Sequence, residues 1–95
     1  MGGKTKRSKV DLYATILEVV RRYPEGVKIT RMSYGVGMPI DRLKVMVDLL
    51  CSSGLITRIS QDDDTSYYCA TPRGLEFLDT YRRMNGFLAV FGEDA

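Results

Sequence analysis

Arg42 and Lys44 stand two residues apart in the stretch Met38 to Leu55, MPIDRLKVMVDLLCSSGL. Their chemistry is anion recognition. Arginine carries a planar fork of donors that can bridge a guanine edge or a phosphate at two points, whereas lysine acts as a point charge on phosphate. Val45 shares their face and joins the candidate set. Lys28, Arg31 and Tyr34 fall three residues apart, so on a helix they share one face. There they would position a polyanion rather than specify it. Lys4, Lys6, Arg7 and Lys9 form a basic arm. Such an arm could follow a phosphate strand or enter a minor groove. Each of these groups also has a plainer reading as a solvated charge, and Asp41 and Asp48 dilute the positive field around Arg42 and Lys44.

Other chemistries find little support. The chain has no histidine, and its two cysteines, Cys51 and Cys69, form no close pair, so a zinc site lacks ligands. Both thiols are expected to be buried and inert. Asp62, Asp63 and Asp64 are adjacent, unlike the spaced ligands of a calcium loop. There is no glycine-rich phosphate loop and no nucleophile paired with a base in one motif. No enzyme activity, cofactor, metal or small-molecule substrate is expected. No apolar run approaches the roughly 18 residues of a membrane span. The N-terminus lacks the apolar stretch of a signal peptide, and Lys6 occupies the place where myristoylation wants serine or threonine. A cytoplasmic protein is expected.

The elements that must hold these side chains are legible from periodicity and punctuation. Ser8 followed by Asp11 resembles a capping box, opening a helix to about Tyr23. Tyr13, Ile16, Leu17 and Val20 form its apolar face, widened by Leu12, Val19 and Tyr23. Pro24-Glu25-Gly26 makes a turn, and Val27 suits a very short strand. A second helix runs from Lys28 to about Val36, with Ile29, Met32 and Val36 inward. Gly35-Val36-Gly37 then turns the chain into a third helix, for which Pro39 suits the first turn. Leu43, Met46, Val47 and Leu50 give that helix its buried face, and Ser53-Gly54 stops it. Leu55–Ser60 and Ser66–Ala70 are strands of a hairpin with a polar loop between them. Arg58 and Tyr67, near the base of that hairpin, are its residues best placed to reach a phosphate. Thr71 caps a last helix starting at Pro72 and reaching about Phe91, weakened at Gly86 by roughly 1 kcal/mol relative to alanine.

The predicted fold is therefore mostly α with a small β-hairpin, in the order helix, helix, helix, hairpin, helix. Three segments are expected: an arm over 1–7, a domain over 8–71, and a C-terminal helical element over 72–95. Charge is divided unevenly among them. Residues 1–9 hold four of the 14 basic residues; the other ten face 12 acidic ones, so the remainder of the chain is net acidic by two. Polyanion binding must then come from a local patch together with the arm.

In the last helix Phe77, Tyr81, Met84, Leu88 and Phe91 step by four, three, four and three, a heptad seam. Leu75 and Leu78 lie to one side, free to pack on the domain. A homodimer through this seam is expected, with Leu12, Val19 and Tyr23 available to join it.

The words of the sequence resemble the small archaeal winged helix-turn-helix DNA-binding proteins. Three elements carry the resemblance over about residues 8–85. They are Thr30-Arg31-Met32 in the second helix, Leu-x-x-x-Gly-Leu from Leu50 to Leu55, and aromatic-x-x-Thr-x-x-Gly from Tyr68 to Gly74. The resemblance implies double-stranded DNA as partner, a role in transcription or chromatin, and dimerisation through the last helix. Two features depart from it. Pro39 stands where a serine-type cap is usual, and the hairpin tip is acidic where a DNA-touching wing carries arginine or lysine. The acidic tip fits a second possibility, a protein-interaction module on the same fold.

Overall fold

The computed structural model describes residues 8–60 and 66–90. The elements are α1 (Lys9–Val20), α2 (Ile29–Val36), α3 (Ile40–Ser52), β1 (Ile56–Ser60), β2 (Ser66–Ala70) and α4 (Pro72–Val90). The order is the predicted one. Lys4, Lys6, Arg7, the three aspartates of the hairpin tip and Phe91 lie outside the described residues.

Local chemistry explains most element ends. Ser8 accepts from the Asp11 N–H at 3.2 Å while Asp11 accepts from the Ser8 N–H at 3.2 Å, a reciprocal capping box. The first helix ends at Val20, short of the expected Tyr23. Arg22 and Tyr23 instead donate three residues back, to Val19 at 3.2 Å and Val20 at 3.0 Å. Pro24 is the physical reason, because the residue before a proline is pushed out of the helical region. Pro39 sits at the N-cap of α3, one position earlier than expected.

The stop after α3 fixes the hairpin. Gly54 has φ +80, and its N–H donates to Cys51 at 3.0 Å. The Leu55 N–H donates to Leu50 at 2.9 Å. These two bonds form the Schellman motif, with glycine at the left-handed position. Leu55 is thus spent on the helix stop, and β1 begins one residue later than predicted. β1 and β2 pair antiparallel, with Arg58 opposite Tyr68 and Ile59 opposite Tyr67. Val27 bridges Tyr68 through two backbone hydrogen bonds of 3.0 and 2.8 Å, the very short strand expected there.

Thr71 joins the stop to the last helix. Its hydroxyl donates to the Gly54 carbonyl at 2.7 Å and accepts the Gly74 N–H at 3.0 Å, capping α4. Its N–H donates to the Leu55 carbonyl at 3.1 Å. This brings α4 so close that a Cβ on Gly74 would lie 2.1 Å from that oxygen. The two sequence patterns, Leu50 to Leu55 and Tyr68 to Gly74, are therefore two halves of one joint.

The core is formed by Ile16, Leu17 and Val20 of α1, Met32 of α2, Leu43, Val47 and Leu50 of α3, and Ile56, Tyr68 and Leu78 around them. Several apolar residues depart from the expected seam. Val19 is buried within the protomer, its methyls 3.0–3.3 Å from where a Cβ on Gly35 of α2 would stand, so no face remains for a partner. Phe77, Tyr81 and Leu12 are half-buried against the core. Tyr23 is half-buried against the core, between a cleft shared with α2 and one shared with Leu75 of α4. Leu78 packs inward as expected, whereas Leu75 is exposed. Met84, Phe87 and Leu88 are exposed at 53%, 64% and 48%. Both cysteines are free and only half-buried, less enclosed than the sequence implied.

Candidate nucleic-acid interface

The turn from α2 into α3 sets two helices at the molecule's cationic face. Gly37 takes φ +76 and donates to Ser33 at 2.8 Å, and the Ser33 hydroxyl donates to the Met38 carbonyl at 2.5 Å. With Leu43, Met46, Val47 and Leu50 buried, α3 turns Asp41, Arg42, Lys44, Val45, Asp48 and Leu49 to solvent.

Lys28 is the N-cap of α2 but supplies no side-chain cap, and the first turn holds no acidic residue. That helix end presents amide hydrogens and the positive end of its dipole, both suited to an anion. Beside it lies a cleft lined by Lys28, Thr30, Lys44, Arg58, Ser66 and Tyr68, together with Ile29. Its three cations come from three elements: the α2 cap, α3 and β1. Strand alternation explains the aim of Arg58. It lies on the same face of β1 as buried Ile56 and opposite buried Tyr68, one step past the edge of the core. Among the described residues no carboxylate lines the cleft.

A second cleft shares Lys28. Arg31, Tyr34, Tyr23 and Tyr67 line it, so the predicted Lys28, Arg31 and Tyr34 are indeed together. The Lys28 ammonium sits 5.8 Å from the centre of the Tyr67 ring, within cation–π range. Tyr34 is 92% exposed. Arg42 and Val45 line neither cleft and face outward from α3. Lys9 is exposed at the first residue of α1.

Three arginines outside this set are paired with carboxylates. Arg82 donates to Glu18 through Nε at 3.0 Å and also through Nη2, and Arg21 reaches the same carboxylate at 3.3 Å. Arg83 pairs with Asp79 at 3.2 Å. The Tyr81 hydroxyl donates to Asp11 across the same α1–α4 junction. Partial burial works upward on the Glu18 carboxyl, and is outweighed by hydrogen bonds and charge from Arg82 and Arg21, leaving it below the usual carboxylate value. By contrast, Lys28, Arg31, Arg42, Lys44 and Arg58 make no ion pair among the described residues.

Sequence reasoning named each of those cations but not the convergence of Lys28, Lys44 and Arg58, which no linear spacing reveals. It also missed Thr30 and Leu49. Leu49 was open to discovery, since Arg42, Val45 and Leu49 step by three and four along the outer face.

The family model described as winged helix-turn-helix matches residues 6–88. The chain belongs to the winged helix-turn-helix family. In those terms α2 and α3 are the helices of the turn, and β1 with β2 is the wing. Several solved structures share the fold. Sso10a-2, a DNA-binding protein from Sulfolobus solfataricus, is 22% identical with a TM-score of 0.69, covering 93% of this chain and 92% of that one. A MarR family transcription regulator is 22% identical with a TM-score of 0.72, covering 88% of this chain and 57% of that one. Streptococcus pneumoniae FabT, solved in complex with DNA, is 15% identical with a TM-score of 0.67, covering 87% and 59%. The chain thus spans less than two thirds of these last two proteins and nearly all of Sso10a-2. No curated protein sequence matches it. Among the described residues no helix is long and apolar enough to cross a membrane, and no group of three or more histidine, cysteine or acidic residues could hold a metal.

Proposed function

We propose that this winged helix-turn-helix protein binds double-stranded DNA as a transcriptional regulator or chromatin component. The observation that carries the reading is the set of unpaired cations gathered around α2, α3 and the wing base. Arg21, at the end of α1, and Arg82 and Arg83, on α4, pair instead with carboxylates. In this reading α3 enters the major groove with Arg42, Lys44 and Val45 towards base edges or the adjoining phosphates. Lys28, Lys44 and Arg58 clamp one phosphate strand at the cleft, with the uncapped start of α2 behind them. Arg31 and Tyr34 extend the backbone contact, and Lys4, Lys6, Arg7 and Lys9 add affinity that depends little on sequence.

The protein acts as a homodimer in this account. Met84, Phe87 and Leu88 are exposed on the C-terminal half of α4, and a second copy would cover them. Phe77, Tyr81 and Leu12 brace that seam from within the protomer. Paired recognition helices would address half-sites about 34–36 Å apart, or a multiple of that distance. A mobility-shift titration of a duplex pool at two salt concentrations tests DNA binding. The expected outcome is a shift at low salt that weakens steeply at high salt. No shift at low salt would favour the protein-interaction module, the reading that the net acidity of residues 10–95 supports.

A further inference from the structure

Two aliphatic side chains interrupt the polar surface of the recognition helix. Val45 is 61% exposed and Leu49 48% exposed, one turn apart on the outer row that Arg42 heads. Neither contributes to the core, which α3 meets through Leu43, Met46, Val47 and Leu50. A β-branched valine at an exposed helix position also gains nothing from intrinsic propensity. Their place on the row, beside the unpaired Arg42 and Lys44, suits a polyanion that presents apolar groups at its edge. The major groove of DNA does so only at the C5-methyl group of thymine or methylated cytosine. Apart from the smaller C–H edges of cytosine and the purines, the other groups on the groove floor are donors or acceptors, and an aliphatic side chain pressed on one would leave it unsatisfied.

We infer that Val45, with Leu49 at the edge of the contact, selects for thymine methyl groups in the target duplex, next to a base pair read by Arg42. This rests on the DNA-binding reading above. Val45 is the principal reader, because the N-terminal half of a recognition helix comes nearest the bases. Three residues of helix advance about 4.5 Å, against about 3.4 Å per base step along one strand. With the helix along the groove, the guanine of Arg42 and the thymine of Val45 fall one to two steps apart.

The experiment uses the full chain and a random duplex pool. Sequences enriched by binding are expected to share a guanine with a thymine one or two steps away. In the best duplex each thymine is then replaced singly by deoxyuridine, which keeps pairing and removes only the methyl. At one or two positions affinity should fall about fourfold, the worth of one buried methyl-sized group. Val45→Ala should bind the thymine and uracil duplexes equally at those positions, while Leu49→Ala should retain most of the preference. Val45→Thr, which keeps the shape but exchanges one methyl for a hydroxyl, guards against any folding defect in the alanine variant and should also weaken the preference. The inference is overturned if uracil is tolerated at every position, if Val45→Ala keeps the full thymine preference, or if the pool yields no shared sequence while duplex binding persists. Absence of any duplex binding at low salt would instead remove the underlying DNA-binding reading.

Discussion

Gly74 shows how one atom decides where a whole helix sits. The Leu55 carbonyl accepts from Thr71, and α4 starts so close above it that a methyl group at position 74 would overlap the oxygen. Gly74→Ala is therefore expected to cost about 3 kcal/mol or more, read as a fall in Tm of at least 10 °C or so in a thermal melt. Gly86 is the internal control. A Cβ there meets nothing within 4 Å among the described residues, so Gly86→Ala should stabilise α4 by up to about 1 kcal/mol. Cys51 makes a second prediction at this scale. Partial burial, helped by the charge of Asp48 and offset in part by Arg58, pushes its thiol above the ordinary value. Little thiolate is then present at neutral pH. Iodoacetamide should modify Cys51 more slowly than an unhindered model thiol, by mass spectrometry over time. Arg42→Ala belongs here too: loss of a guanine contact should weaken binding by about 1–3 kcal/mol and relax specificity at one position.

At the scale of elements, α1 and α4 are held together by polar ties as well as by Leu78. Glu18 is depressed in the folded protein, so its contribution is present above the unfolded carboxylate range and is lost as pH falls through its lowered folded value. Melting temperatures of wild type and Glu18→Gln should differ modestly above about pH 5 and converge in stronger acid. The outer part of α4 carries the dimer proposal. Leu88→Asp should halve the particle mass in analytical ultracentrifugation, and a wild-type monomer at tens of micromolar would end that proposal. Helix positions were legible in the sequence because capping and apolar spacing act within a few residues: Ser8 with Asp11, Gly54 after α3, and Thr71-Pro72 before α4 each mark an end in the right place. The seam was less legible. Heptad spacing records which residues share a stripe, but not how much of that stripe the protomer's own core consumes. Phe77 and Tyr81 are partly spent there, and Val19 wholly so against Gly35.

At the scale of the whole molecule, a small formal charge conceals a spatial division. Among the described residues Arg21, Arg82 and Arg83 pair with carboxylates at the α1–α4 junction or along α4, whereas Lys28, Arg31, Arg42, Lys44 and Arg58 make no ion pair. The cationic cleft could not be read from the sequence, since Lys28, Lys44 and Arg58 meet only after three elements pack. The most direct test of the account is the salt dependence of duplex binding, measured by fluorescence anisotropy for wild type and for the combined Lys28→Ala, Lys44→Ala, Arg58→Ala variant. Wild type should bind at low salt, with log K falling linearly against log salt concentration. The variant should bind more weakly, with a slope shallower by about 0.9 for each phosphate contact removed. A folded variant that matches wild type in both affinity and slope would contradict the account.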